Sequence, residues 1–206
     1  MSEEREKLEQ AVNARLDERD YAEAATLILR GYGAELYGFL VARTRDENAA
    51  TEAFSMFTED LWRGLPSFAG RSTVRVWAYT LARHAAIRYQ AAPHRARRRN
   101  IPLSADRVLS KLEQRARTET APFLKTEFKT RIAELRARLT EDERTLLVLR
   151  LDRGLEWTEV ARVFADVEQG GDGDIASEAA RLRKRFQLIK AKIRRWAASA
   201  GLTDDG

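Results

Sequence analysis

Between Arg181 and Arg195 the chain carries eight Lys or Arg residues and no acid, threaded by apolar residues. Leu182, Phe186, Ile189, Ile193 and Trp196 recur at steps of four, three, four and three, which places them on one side of a helix. That side packs inward. Arg181, Arg183, Lys184, Arg185, Lys190, Lys192, Arg194 and Arg195 remain on the flanks and the far side, a density of positive charge suited to a polyanion, with nucleic acid the leading candidate. A solvated basic face is the competing reading. Catalytic chemistry has no comparable support. There is no cysteine, the only histidines are His84 and His94, and no carboxylate pair at metal spacing, nucleophile motif or Gly-rich phosphate loop stands out. The chain therefore reads as a non-enzyme with no metal and no other cofactor.

The basic helix needs a partner helix to position it, and the segment just upstream supplies one. Trp157, Val160, Ala161 and Phe164 form a short apolar stripe after Gly154, a residue suited to ending the previous helix. Two successive helices with the second one basic have the outline of a helix-turn-helix, whose second helix enters the major groove. Between them the spacing leaves an acidic, Gly-rich insertion at 165–176, longer than an ordinary turn of that motif. The remaining periodicity predicts helices near 20–43 with Ile28, Tyr32, Leu36 and Phe39 inward, and 47–64 with Phe54, Phe57 and Leu61 inward. Others are predicted at 72–89, with Ser72 as the cap, and near 124–138, 141–152, 156–165 and 177–198. Thr140 and Glu143 form a capping box. In 1–18, Leu8, Val12 and Leu16 fit either a peripheral helix or a frayed segment. No strand alternation of useful length is present, so the fold class is all-α.

The 206 residues, 44% of them apolar, suffice for one large or two small globular domains. The net charge of +5 is unevenly placed, at −2 over residues 1–92 and +7 over 93–206, which points to the second half for direct phosphate binding. Pro93, Pro102 and Pro122 cluster around the run HRARRRN and mark a linker, with room for a short helix at 107–117. The charged N-terminus and the lack of any long apolar stretch lead to the expectation of a soluble cytoplasmic protein without membrane contact.

Residues 67–90, SFAGRSTVRVWAYTLARHAAIRYQ, resemble the second conserved region of bacterial RNA polymerase sigma factors of the extracytoplasmic-function group. Residues 138–164, RLTEDERTLLVLRLDRGLEWTEVARVF, resemble the start of that family's fourth region, and the basic helix resembles its end. The resemblance implies two small helical domains: an N-terminal extension at 1–19, a region-two-like domain at 20–92, a linker at 93–123, a region-four-like helix-turn-helix domain at 124–200, and a tail at 201–206. It implies an adaptor that binds core RNA polymerase, directs it to the minus-ten and minus-thirty-five elements of promoter DNA and assists strand opening. An anti-sigma factor is a further partner that the resemblance admits.

Strand opening needs aromatic faces for unstacked bases and donors for a flipped one. Around 66–89 the chain places Phe68, Trp77, Tyr79 and His84 with Arg71, Arg75, Arg83 and Arg88 interspersed. Trp77 reads as core against Val74 and Leu81, which leaves Phe68, Arg71, Arg75, His84 and Arg88 as the candidates for promoter contact. In the fourth region the family's recurrent basic positions fall on Arg183, Arg185 and Lys190, with Leu188 at the one between the last two. Arg181, Arg183, Lys184 and Arg185 are the duplex-binding candidates. The polymerase-binding positions fall on Glu52, Ser55, Met56 and Glu59, where Ser55 and Met56 replace a usual Gln-Glu pair, and Trp62, Leu61 and Phe57 read as core. The alternative to a sigma factor is a stand-alone helix-turn-helix transcriptional regulator acting as a dimer, which leaves 67–90 without a role.

Overall fold

The computed structural model describes residues 3–91, 134, 136–165 and 172–199, and every regular element among them is helical. The chain divides into two compact units, Met1–Pro122 and Phe123–Gly206. The linker at 93–123, its short helix at 107–117 and most of the helix expected at 124–138 lie outside the described residues.

In the first unit α1 spans Glu3–Asp17, α2 Tyr21–Thr44, α3 Glu47–Gly64 and α4 Val74–Ala91, with a 3₁₀ turn at Leu65–Ser67. Asp20 starts α2 by accepting the Glu23 N–H, and Asp46 starts α3 by accepting from Asn48 and Ala49. Each satisfies amides that the first turn of a helix leaves without an internal partner. Ile28, Tyr32, Leu36 and Phe39 of α2 meet Phe54, Phe57 and Leu61 of α3 in the core, as their spacing predicts. Edge-on pairs lock this packing: Tyr37 on Phe54 at 5.7 Å and Phe39 on Tyr79 of α4 at 5.3 Å between ring centroids. Residues 3–17 form a helix rather than fraying, with Val12 fully buried beneath it.

Two expectations change here. Trp62 is 54% exposed rather than core. Successive residues on a helix are about 100° apart, so with Leu61 completing the inward stripe Trp62 turns to the flank, on the same side as Ser55 and Glu59. Ser72 does not cap α4. The helix begins at Val74, Thr73 supplies the first carbonyl acceptor to Trp77 and a hydroxyl acceptor to Val76, and the Ser72 hydroxyl donates to the Thr73 carbonyl.

In the second unit α5 spans Glu141–Leu147 and continues as a π-helical turn at Val148–Asp152, followed by α6 at Trp157–Phe164 and α7 at Asp172–Ser199. The capping box forms as expected, the Thr140 hydroxyl accepting from Glu143 N–H and the Glu143 carboxylate from Thr140 N–H. Gly154 adopts φ of +67°, a left-handed backbone open to glycine, and ends the π turn. Leu146, Leu147, Leu149 and Leu155 form the core with Val160 and Val163 of α6 and Leu182, Phe186 and Ile189 of α7. Helix α7 starts at Asp172, earlier than expected, so part of the Gly-rich insertion is helical and residues 165–171 separate α6 from α7. Of these, 166–171 lie outside the described residues.

Candidate nucleic-acid interface

In the first unit the candidate residues separate according to the faces of α4. Trp77, Leu81, His84 and Arg88 are related by steps of four, three and four, so they share one stripe, and all are half-buried or exposed. Arg75, Tyr79 and Arg83 face the other way and are buried. Phe68, at the end of the 3₁₀ turn, lies against Trp77 with ring centroids 4.8 Å apart and planes tilted by 43°. Trp77 is thus part of a half-exposed aromatic platform instead of the core, and Gly64 is what lets it lie there. A Cβ on Gly64 would stand 2.9 Å from Trp77 Cζ2. Arg71 is exposed beside this platform in sequence, and Ser72 and Thr73 lead from it into α4.

Arg75 is corrected from a promoter contact to an internal one. It is 8% exposed, and its Nε donates to Glu35 Oε1 at 2.6 Å. Burial disfavours its charge, yet the bond and charge of Glu35 outweigh this and raise its pKa above the ordinary value. Tyr79 is fully buried with the Arg75 guanidinium 5.5 Å from its ring centroid. His84 is half-buried with Nε2 withdrawn from solvent. Arg88, half-exposed, is held by Asp60 of α3.

The start of α4 has a cap that local sequence gave no sign of. Glu9 on α1 is 8% exposed, and its carboxylate accepts the Val74 N–H at 2.8 Å, the Arg75 N–H at 2.9 Å and the Tyr32 hydroxyl at 2.9 Å. Burial, and then the neighbouring Glu9 carboxylate, push the Tyr32 hydroxyl well above the usual phenol range, so it stays a donor.

On α3, Glu52, Ser55, Met56 and Glu59 fall on one outward face at steps of three, one and three. Glu52 is exposed and the others are half-buried, with Glu59 paired to Arg63 at 3.5 Å. Exposed Trp62 borders this face; its large apolar side chain beside Leu61 reads as core in the sequence, although Asp60 and Arg63 flank the pair.

In the second unit Arg183 is laid over the Trp157 ring, its Cζ 5.6 Å from the centroid, and Arg150 of the π turn approaches the same ring at 5.2 Å. Trp157 and Phe186 of α7 in turn meet in a T-shaped pair with centroids 5.4 Å apart. Contacts of Arg183 and Phe186 with Trp157 therefore hold one flank of the basic helix against α6. Arg181 makes a bidentate pair with Glu178 at 2.7 and 2.8 Å, while Lys184 is exposed and Arg185 half-buried. Farther along, Lys192 donates to both Glu143 oxygens at 3.1 and 3.2 Å and lies 5.1 Å from the Trp196 ring centroid. Burial disfavours the Glu143 charge, but the Thr140 N–H and Lys192 outweigh it and hold the carboxyl below its ordinary range. The helix that carries the candidate cations is thus pinned at both ends of the cationic run.

Among the described residues no helix is long and apolar enough to cross a membrane. Compared with models of protein families, with curated proteins and with solved structures, the chain matches none.

Proposed function

We propose that this chain is a bacterial RNA polymerase sigma factor of the extracytoplasmic-function group, a cytoplasmic adaptor that binds core RNA polymerase, directs it to promoter DNA and assists strand opening. The observation that carries this reading is the pair of unlike surfaces on two separate helical units. One unit presents an aromatic platform, Phe68 on Trp77, continued along α4 by His84 and Arg88. The other presents a cationic helix braced by Trp157.

Each surface suits a different state of DNA. Unstacked bases have apolar faces that an aromatic platform covers, and base-aromatic stacking contributes about 1–3 kcal/mol per base. Trp77 and Arg88 are eleven residues apart, about 16 Å along the helix, room for several nucleotides of an opened strand. Duplex DNA instead offers closely spaced phosphates and base edges, which a long cationic helix addresses with Lys184, Arg185 and Arg183. A regulator that reads only duplex DNA has no use for the first surface. The α3 face with Glu52, Ser55, Met56 and Glu59 is assigned to core polymerase.

Affinity capture with the tagged full chain tests the reading. Core polymerase should be retained, and retention should fall when Glu52 and Glu59 are both replaced by Lys. A chain that captures no polymerase and binds a palindromic operator as a free dimer would be a stand-alone regulator.

A further inference from the structure

The cationic helix exposes one large apolar side chain where a basic one would serve phosphate binding. Leu188 is 67% exposed, more than any other large apolar residue described. Helical spacing surrounds it with Arg181, Lys184, Arg185, Lys192 and Arg195, at seven, four and three residues before it and four and seven after it. Arg181 and Lys192 are held back by Glu178 and Glu143. Leu188 thus stands at the centre of a cationic ring, on the opposite flank of α7 from Arg183 and its Trp157 brace.

An apolar group so placed has few natural occupants. A polyanion drawn in by the ring brings phosphates to the cations and must bring something apolar to the leucine. The major groove of duplex DNA offers that combination: the C5 methyl of thymine lies on the groove floor, flanked on both sides by phosphates. We propose that Leu188 reads a thymine methyl in the duplex element bound by α7, making it a specificity-determining residue of the second unit. This rests on the assignment of α7 to duplex DNA. An acidic protein surface and an anionic vesicle also present negative charge, but neither distinguishes thymine from uracil.

The test uses the full chain bound to core polymerase and a randomised duplex pool, followed by single replacement of each selected thymine by deoxyuridine, which removes only the methyl. At one position the replacement should weaken binding about fourfold, the effect of burying one methyl group. In Leu188→Ala thymine and deoxyuridine should bind alike there, while overall duplex binding persists. Discrimination that is the same in the parent and in Leu188→Ala would overturn the assignment of Leu188 and leave duplex binding by α7 standing. Absence of any sequence-selective duplex binding, with anionic vesicles or an acidic protein bound instead, would overturn both.

Discussion

The carboxylate of Glu9 on α1 accepts the backbone N–H groups of Val74 and Arg75, 65 and 66 residues later in the chain, so the first helix caps the fourth. The same carboxylate holds the Tyr32 hydroxyl of α2. One buried side chain therefore ties three helices together at the point where the loop bearing Phe68 and Arg71 enters α4. A carboxylate there also opposes the partial positive charge of the helix start.

Glu9→Ala should destabilise the protein by about 2 to 3 kcal/mol, combining loss of a helix cap with a buried Tyr32 hydroxyl left unsatisfied. Glu9→Gln, which keeps one acceptor oxygen, should lose less. Calorimetric unfolding of the full chain measures both. Equal, small losses in the two variants would contradict the cap.

Gly64→Ala should separate platform geometry from stability. The added methyl meets Trp77 Cζ2 at 2.9 Å and must displace it. Helix propensity gains up to about 1 kcal/mol from the same change, so unfolding should shift little. The effect should appear in permanganate reactivity of opened promoter thymines, which falls while upstream duplex protection by the polymerase complex is retained. Unchanged reactivity would remove the Phe68-Trp77 platform from strand capture.

Arg183→Ala should lower duplex affinity and reduce the log-log salt slope by about 0.9, one phosphate contact. Trp157→Phe keeps a ring beside Phe186 but offers a weaker face to the guanidinium. It should weaken duplex binding about two- to fivefold, the range of an exposed cation-π contact. In the double variant the two losses should not add, because Trp157 acts through Arg183. Full additivity in filter-binding titrations would show that Trp157 has only a packing role.

Glu143 makes the second unit sensitive to acid in a defined direction. Its folded carboxyl is held below the ordinary range, so its contribution is present above the unfolded value and is lost as pH falls through the depressed folded value. Lys192→Met removes part of what depresses it, so the contribution is smaller at neutral pH and its loss is complete at a higher pH. Circular dichroism from pH 6 down to about pH 2 should show the midpoint displaced upward, a window set by the usual carboxylate value near 4.3. A midpoint unmoved by Lys192→Met would contradict the coupling.

Local rules made much of the fold legible. The helix-period stripes of α2 and α3 and the first three members of the α7 stripe mark buried residues, Ile193 and Trp196 being only half-buried, and the Thr140-Glu143 box marks the start of α5, because these signals depend on residues within one or two turns. What stayed hidden is tertiary. Nothing near Ser72 reveals that a carboxylate on α1 accepts the first two N–H groups of α4, and nothing near Arg75 reveals that Glu35 draws it inward. The aromatic and basic residues at 67–90 stand out in the sequence, but only packing separates Trp77 on the outer stripe of α4 from Tyr79 in the core. The brace of Trp157 on Arg183 joins two helices across 165–171, beyond the reach of periodicity.

The most direct measurement is initiation in vitro by core RNA polymerase on a library of genomic fragments, with and without the full chain, mapping transcript 5′ ends. A sigma factor should create a limited set of new start sites that share upstream and minus-ten sequences and are absent with core polymerase alone. Start sites indistinguishable from those of core polymerase alone, together with tight duplex binding by the free dimeric chain, would contradict the account.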